Sequence, residues 1–176
     1  MKTQDLIKTL IAAFCAHPKE CQVTEQETPG SSLLVIEVNP ADYAKVIGGR
    51  GATFRALETI AALAGMRDRK KTRLILPRPA SGGEYGSLPF VPDRNWSRSP
   101  WLVDLLQKTM DMTIGPGATV GASNMEDTTI LGALIEPQEL PIDIEEIDDA
   151  VGKIFHAIGK ANGRNVFVDV IENPND

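Results

Sequence analysis

The feature that most constrains the fold is a cluster of three glycines between two stretches of helical character. Gly48, Gly49 and Gly51 lie within the segment KVIGGRGATFRAL, which spans residues 45–57. Glycine adopts positive φ angles at little steric cost, and the absence of side chains lets a ligand approach the main chain closely. A helix beginning near Ala52 would direct its unpaired N–H groups and the positive end of its dipole at this bend. The segment therefore predicts a tight bend between two helices that suits phosphate.

Basic side chains accompany the predicted bend. Arg50 lies inside it, Arg55 follows one turn into the next helix, and Lys45 precedes it. A Walker-type loop needs Lys and Ser or Thr after the second glycine, and a dinucleotide-binding fingerprint needs a preceding strand. Here no lysine follows and a helix precedes, so both mononucleotide interpretations are weak. The remaining functional interpretation is a loop that holds successive phosphates of one nucleic acid strand, and the structural alternative is a plain helix–helix turn.

The pattern on both sides of the bend predicts a small α+β unit in residues 1–79. Apolar residues at spacings of three and four predict a leading helix that ends near the His17-Pro18 junction. Two strands separated by a turn sequence follow, and a third strand closes the unit before two prolines. The element order is α-β-β-α-α-β, with predicted bounds 4–16, 22–27, 33–38, 43–47, 52–65 and 72–76.

The glycine segment, placed in this order of elements, resembles a known nucleic-acid-binding family. Residues 46–51, Val-Ile-Gly-Gly-Arg-Gly, are similar to the I-G-x-x-G signature of the KH domain, whose GXXG loop clamps four nucleotides of RNA or single-stranded DNA. The element order matches the bacterial, type II arrangement. Residues 2–78 resemble the small bacterial KH proteins of the KhpA family over their whole length, including the VNPADYAKVIGGRG segment and the closing TRLILP strand.

The resemblance implies a binding site around the loop. Main-chain amides of the loop and of the following helix would hold phosphates, and bases would lie in an apolar groove between the two helices and the second strand. The family often carries Lys or Arg at the first variable loop position, where this chain has Gly49, so we expect a weaker or differently placed phosphate grip. The predicted RNA-contacting residues are Val35, Ile36, Lys45, Ile47, Gly48, Gly49, Arg50, Gly51 and Arg55.

The charges are divided unequally along the chain. Residues 1–79 contain 12 Lys and Arg against 8 Asp and Glu, net +4, whereas residues 80–176 contain 6 against 16, net −10. Only the first part is therefore suited to an anionic partner. The basic run Arg67–Arg73 is either a solvated turn or an electrostatic rim for a phosphate backbone.

The second part of the chain repeats the pattern of the first. It predicts a helix over 101–112, strands over 118–122, 128–135 and 165–171, and an acidic helix over 143–159. Leu6 and Leu102, like Leu34 and Ile130, occupy corresponding elements 96 residues apart. We therefore predict a KH domain (1–79), a linker or arm (80–100) and a second, acidic α+β domain (101–176) that is either a degenerate KH-like copy or an unrelated unit. Each domain is expected to carry three strands backed by helices.

Several aromatic residues lie in or beside the predicted linker. Phe90, Trp96 and Trp101 are too apolar for a freely solvated segment, although residues 80–100 are rich in Gly, Ser and Pro. Anchoring to a domain is the favoured interpretation, and base stacking by the tryptophans is the alternative.

Catalytic and metal-binding patterns are weak. Cys15 and Cys21 match no metal or redox spacing, and His17 and His156 are isolated. The acidic run Asp143–Asp149 could be imagined as a divalent-metal site, but carboxylates are also stabilised in the first turns of a helix. We predict no enzyme activity, no cofactor and no metal site.

The sequence therefore predicts a binding protein. We expect single-stranded RNA, with single-stranded DNA as an alternative, and the resemblance implies structured cellular RNAs, ribosome-assembly intermediates or another KH protein as partners. No stretch approaches the length of a membrane span, and the amino-terminal residues predict a helix without a cleavage site, so we expect a cytoplasmic protein. The rival hypothesis is a protein-interaction adaptor that keeps the KH shape and recruits a partner through its acidic part.

Overall fold

A computed structural model of the chain describes residues 1–78, 100–125, 128–136, 140 and 142–172. Residues 1–78 are called the first half below, and the described residues from 100 onward are called the second half. Each half forms one three-stranded sheet with helices on one face. The α+β class predicted from the sequence is confirmed.

The first half has the predicted order of elements. Its helices and strands are α1 (Thr3–Phe14), β1 (Gln22–Thr28), β2 (Ser31–Glu37), α2 (Tyr43–Ile47), α3 (Ala52–Arg67) and β3 (Lys71–Ile75). Short 3-10 turns lie at Pro18–Glu20, Pro40–Asp42 and Gly49–Gly51. The sheet order is β1-β2-β3, with β1 antiparallel and β3 parallel to β2.

Burial explains why these segments fold as they do. The apolar stripe of α1 is fully buried, and residues of β2 alternate between the helix-facing and the solvent-facing side of the sheet. Thr28 pairs with Ser31, which closes the predicted hairpin around Pro29 and Gly30. The parallel pairing of β2 with β3 requires a long crossover, and α2, the glycine bend and α3 form it.

The second half repeats this strand arrangement. Its elements are α4 (Pro100–Thr113), β4 (Ala118–Met125), β5 (Thr128–Ile135), α5 (Ile144–Ala161) and β6 (Asn165–Glu172). The order is β4-β5-β6, with β4 antiparallel and β6 parallel to β5. The prediction of three strands backed by helices in each half is confirmed, while the origin of the second half as a KH copy stays a prediction.

The helices of the two halves pack against one another. Helices α1 and α3 contact both α4 and α5, and each sheet packs on the helices of its own half. The layers are thus sheet, two pairs of helices and sheet. Buried apolar residues of both halves form a single hydrophobic cluster. The division into domains 1–79 and 101–176 stays a prediction, but within the described residues the two parts share one core.

Two further expectations concern the connection between the halves. The predicted linker 80–100 lies outside the described residues except for Pro100, which begins α4. Phe90 and Trp96 also lie outside them. Trp101 packs against the core, as the anchoring interpretation expected. Of the helices in the described residues, none has the length and apolar character needed to span a bilayer.

Candidate nucleic-acid interface

The glycine bend is a sharp connection between α2 and α3. Gly48 ends α2 with φ 73°, and its N–H donates to the carbonyl of Ala44 at 2.9 Å. A Cβ added at Gly48 would lie 2.2 Å from Oγ1 of Thr53, which no real side chain permits. Gly51 has φ 78°, in the left-handed region, directly before α3. Gly48 therefore has no room for a side chain, and Gly51 adopts a backbone conformation that favours glycine.

The middle of the bend faces solvent. Gly49 and Arg50 are exposed, and a Cβ added at Gly49 would meet nothing within 4 Å. Arg50 takes φ 53°, an uncommon conformation for a residue with a side chain. The N–H of Gly51 donates to the carbonyl of Gly48 at 3.2 Å, which closes the turn. The tip of the bend therefore consists of main-chain atoms and the side chain of Arg50, and the amino-terminal turn of α3 follows it.

Arg55 holds the bend rather than extending away from it. Its Nη1 donates to the carbonyl oxygen of Arg50 at 2.9 Å and lies 3.2 Å from the position of a Cβ on Gly51. The guanidinium lies close to the tip. It therefore adds positive potential, as the sequence suggested, and it also stabilises the loop geometry.

Lys45 is held in place by the buried carboxylate of Asp42. Asp42 is fully buried, and it accepts hydrogen bonds from the N–H groups of Ala16 and His17 at 2.9 Å each. Lys45 Nζ and His17 Nδ1 lie 3.1 Å from its two oxygens. Burial alone would raise the pKa of Asp42, but the hydrogen bonds to the carboxylate outweigh it and hold the pKa below its usual value. Asp42 thus ties the end of α1 to α2.

The structure does not bring all predicted contact residues to one surface. Ile47 is half-buried beside the bend. Val35 is half-buried and Ile36 is fully buried, and as neighbours on β2 their side chains point to opposite faces of the sheet. Neither strand residue lines the large groove beside the bend. Ile36 therefore packs in the core, and the predicted groove floor of Val35 and Ile36 is not formed as a joint surface.

A groove of about 1200 Å³ lies beside the bend, and both halves line it. One wall consists of the end of α1, part of α2, Gly48, Gly49 and the start of α3. The opposite wall consists of the last turns of α5 and the first residues of β6. The wall from the second half presents Lys153, His156, Lys160, Asn162 and Phe167.

This second wall was not expected from the sequence, because the net charge of the second half suggested that it would repel nucleic acid. The available signal was the distribution of charge along α5. Asp143, Glu145 and Glu146 lie at its start, whereas Lys153 and Lys160 lie towards its end. An acidic total thus conceals a basic end that faces the bend.

The predicted basic rim at Arg67–Arg73 is partly engaged within the protein. Lys70 donates to Glu27 at 2.6 Å, and this ion pair raises the pKa of Lys70 and lowers that of Glu27. A Cβ added at Gly115 would lie 2.2 Å from Nη1 of Arg67, so Arg67 lies against the second half. Arg69, Lys71 and Arg73 are exposed. A role of this run in binding stays a prediction.

Side chains suited to catalysis or metal binding are dispersed. Burial, with a further contribution from Asp42, raises the pKa of the Cys15 thiol strongly, so it stays protonated at neutral pH. In the acidic start of α5, Asp148 accepts from the N–H of Val170 and Asp149 pairs with Lys153. Within the described residues, no group of three or more His, Cys, Asp or Glu side chains could hold a metal ion.

The first half is similar to known proteins. A sequence model of the KH domain of KhpA and KhpB matches residues 4–76. The RNA-binding protein KhpA of Bacillus subtilis is 33% identical over 70 residues, which are 40% of this chain and 86% of the relative. KhpA of Halalkalibacterium halodurans is 32% identical over 74 residues, covering 42% and 95% of the two chains. KhpA of Listeria monocytogenes is 30% identical over 71 residues, covering 40% and 93%.

Proposed function

Because this chain belongs to the KhpA/KhpB family of KH domains through residues 4–76, we propose that it binds single-stranded RNA at the bend Gly48–Gly51. The observation that carries the proposal is the exposed, positive-φ bend set between α2 and α3 in a family whose curated members are named RNA-binding proteins. A plain helix–helix turn would not need two glycines with an open tip between them. The GXXG loop of a KH domain binds nucleotides at such a bend.

The proposed mechanism is binding without chemistry. Main-chain N–H groups of the tip and of the first turn of α3 hold consecutive phosphates, because they lie at the positive end of a helix dipole. Those of Gly48, Gly51 and Ala52 also donate to main-chain carbonyls within the protein. Arg50 contacts phosphate directly. Arg55 braces the bend and adds charge, and Lys45 contributes charge while it remains paired with Asp42.

The expected affinity is modest. With Arg50, Arg55 and Lys45 as the cations of the loop, we assume about three phosphate contacts, which give a log–log salt slope of about −2 for a single strand. Affinity should then fall about 20-fold between 50 and 200 mM salt. Single-stranded DNA is the second ligand whose affinity should be measured. Roles in ribosome assembly or with another KH protein are further proposals that rest on the family alone.

The test is fluorescence anisotropy with a labelled single-stranded RNA of about 12 nucleotides, which exceeds the four-nucleotide KH footprint. The variant Gly49→Asp, Arg50→Asp places carboxylates at the tip, where Gly49 has open space for a side chain. A double variant with the same charge change, Lys108→Asp and Thr119→Asp, alters exposed positions of the second half. We expect the tip variant to lose binding and the control to retain it, with unchanged circular dichroism for both.

Two outcomes would overturn the proposal. One is an intact chain that binds neither RNA nor single-stranded DNA at 50 mM salt, which would favour the protein-interaction adaptor. The other is a tip variant that binds as tightly as the unaltered chain.

A further inference from the structure

We propose that the second half completes the nucleic-acid site, so that a strand leaving the bend crosses the groove and stacks a base on Phe167. This inference rests on the proposed function of the bend and assigns a role to residues outside the KH segment. Lys160 and Lys153 contact the phosphates that follow the one held at the loop. The site is therefore composite, with one wall from each half.

The first supporting observation is the continuity of the groove. Gly48, Gly49 and Lys45 line it together with Lys160 and Phe167, so the bend and β6 border the same space. Its volume of about 1200 Å³ exceeds the roughly 300–1,000 Å³ of typical small-molecule pockets. A space of this size at the loop suits more than one nucleotide. Asn162 joins the walls, because its Nδ2 donates to the carbonyl of Ala13 at the end of α1 at 3.1 Å.

The second observation is the charge of the lining. The described residues that line the groove include Lys45, Lys153 and Lys160, and none of them is Asp or Glu. The acidic start of α5 is remote from its basic end, since Glu145 and Lys160 are separated by about 22 Å at 1.5 Å per residue. That distance exceeds the Debye length of about 8 Å at physiological salt. The carboxylates closest along the chain are Asp149, which pairs with Lys153, and the exposed Asp169 on β6.

The third observation is the exposure of Phe167. Its side chain is 56% exposed, whereas Val166 beside it is fully buried. It lies on β6, which is an edge strand of its sheet, and it is among the residues that line the groove. An exposed aromatic ring beside lysines is the arrangement on which single-stranded nucleic acids stack their bases. Seven alanines are among the residues that line the groove, and such small apolar side chains suit base faces.

The edge of β6 also offers main-chain groups. The N–H of Val170 donates to Asp148 of α5 and therefore points away from β5. Hydrogen-bonding direction alternates along a strand, so the N–H groups of Val166 and Val168 point away from β5 as well. Both residues line the groove. The edge can thus supply a donor and an acceptor to the rim of a base.

The test compares variants in the intact chain by anisotropy with the same short RNA. Phe167→Ala should weaken binding about tenfold, since a base loses its stacking surface, and Phe167→Tyr should restore it. The matched control is Ile171→Ala, which removes an exposed apolar side chain from the same strand. Lys160→Glu should weaken binding and reduce the salt slope, whereas Lys108→Glu on α4 should change affinity less than twofold.

A cross-linking readout separates contact from a structural effect. RNA carrying 4-thiouridine is irradiated with the protein, which is then digested with trypsin. Cleavage after Arg164 releases residues 165–176, in which Phe167 is the only aromatic residue, and cleavage after Lys45 and Arg50 releases 46–50. We expect cross-links on both peptides.

The outcomes distinguish the two proposals. If the tip variant loses binding while Phe167→Ala and Lys160→Glu bind normally without a cross-link on 165–176, the composite site is wrong and the loop function stands. If the groove variants weaken binding and the tip variant does not, the groove binds RNA and the proposed function of the bend is wrong.

Discussion

The two halves have the same strand order and pairing but differ between the middle strand and the long helix. In the first half residues 38–51 join β2 to α3 and contain a 3-10 turn, α2 and the glycine bend. In the second half residues 136–143 join β5 to α5, and acidic residues begin the helix. The sheets and long helices form a common framework, and we propose that the connection in the first half holds the nucleic acid at its glycine bend. We propose that the second half is a degenerate copy that lost this connection.

The largest expected effect tests whether the two halves are one cooperative unit. Leu57 on α3 and Leu106 on α4 are both fully buried in the shared core, so replacing either with alanine should cost about 2–5 kcal/mol of unfolding free energy. Both tryptophans, Trp96 and Trp101, lie beyond the first half. We therefore expect Leu57→Ala to lower the urea midpoint equally whether unfolding is monitored by tryptophan fluorescence or by circular dichroism.

Leu106→Ala serves as the reciprocal variant and should shift both signals equally. If Leu57→Ala leaves the midpoint of the fluorescence transition unchanged, the halves unfold as independent domains.

A smaller effect is expected from the bend that only the first half possesses. Gly48→Ala forces a side chain into positive φ and against Thr53, which should cost about 1–3 kcal/mol. Gly49→Ala has open space and an ordinary φ, and it should change stability by less than about 0.5 kcal/mol. Thermal unfolding measures both. Equal costs at the two positions would contradict the described bend geometry.

The smallest effect comes from the carboxylate that fixes α2 to α1. Asp42→Asn should cost about 1–2 kcal/mol at pH 7, since charge-assisted hydrogen bonds are lost. The folded pKa of Asp42 is lowered, so its stabilisation is complete above the unfolded pKa of about 3.9 and is lost as pH falls through the folded value. Urea unfolding at a series of pH values should show the difference between variant and unaltered chain shrinking below about pH 4. A difference that stays constant with pH would assign the effect to packing.

Most of the fold could be predicted from local patterns. The apolar spacing of α1, the turn at Pro29-Gly30 and the prolines after β3 determine those elements through neighbouring residues alone. The repeated strand order also followed from spacing, as in Leu34 and Ile130. The packing of α1 and α3 on α4 and α5 could not be predicted from spacing. A helix has the same amphipathic pattern whether it packs in a core of its own half or in a core shared by both halves.

The candidate site could be predicted only in part. Glycine permits the positive φ found at Gly48 and Gly51, so the bend was found directly, although residue type does not fix φ, since Arg50 also takes a positive value. Val35 and Ile36 lie on opposite faces of β2, and an apolar strand does not reveal which of its faces packs on the helices. The proximity of Lys160 and Phe167 to the bend arises from contacts between halves, and the total charge of residues 80–176 argued against it.

The central claim is that the main chain of the glycine bend contacts a single nucleic acid strand. The most direct measurement is a 15N–1H NMR titration of the intact chain with a short single-stranded RNA. We predict that the largest shift changes fall on the amides of Gly48 to Thr53. Changes confined to the solvent-facing sides of the two sheets, with the amides of the bend unmoved at saturation, would contradict the account.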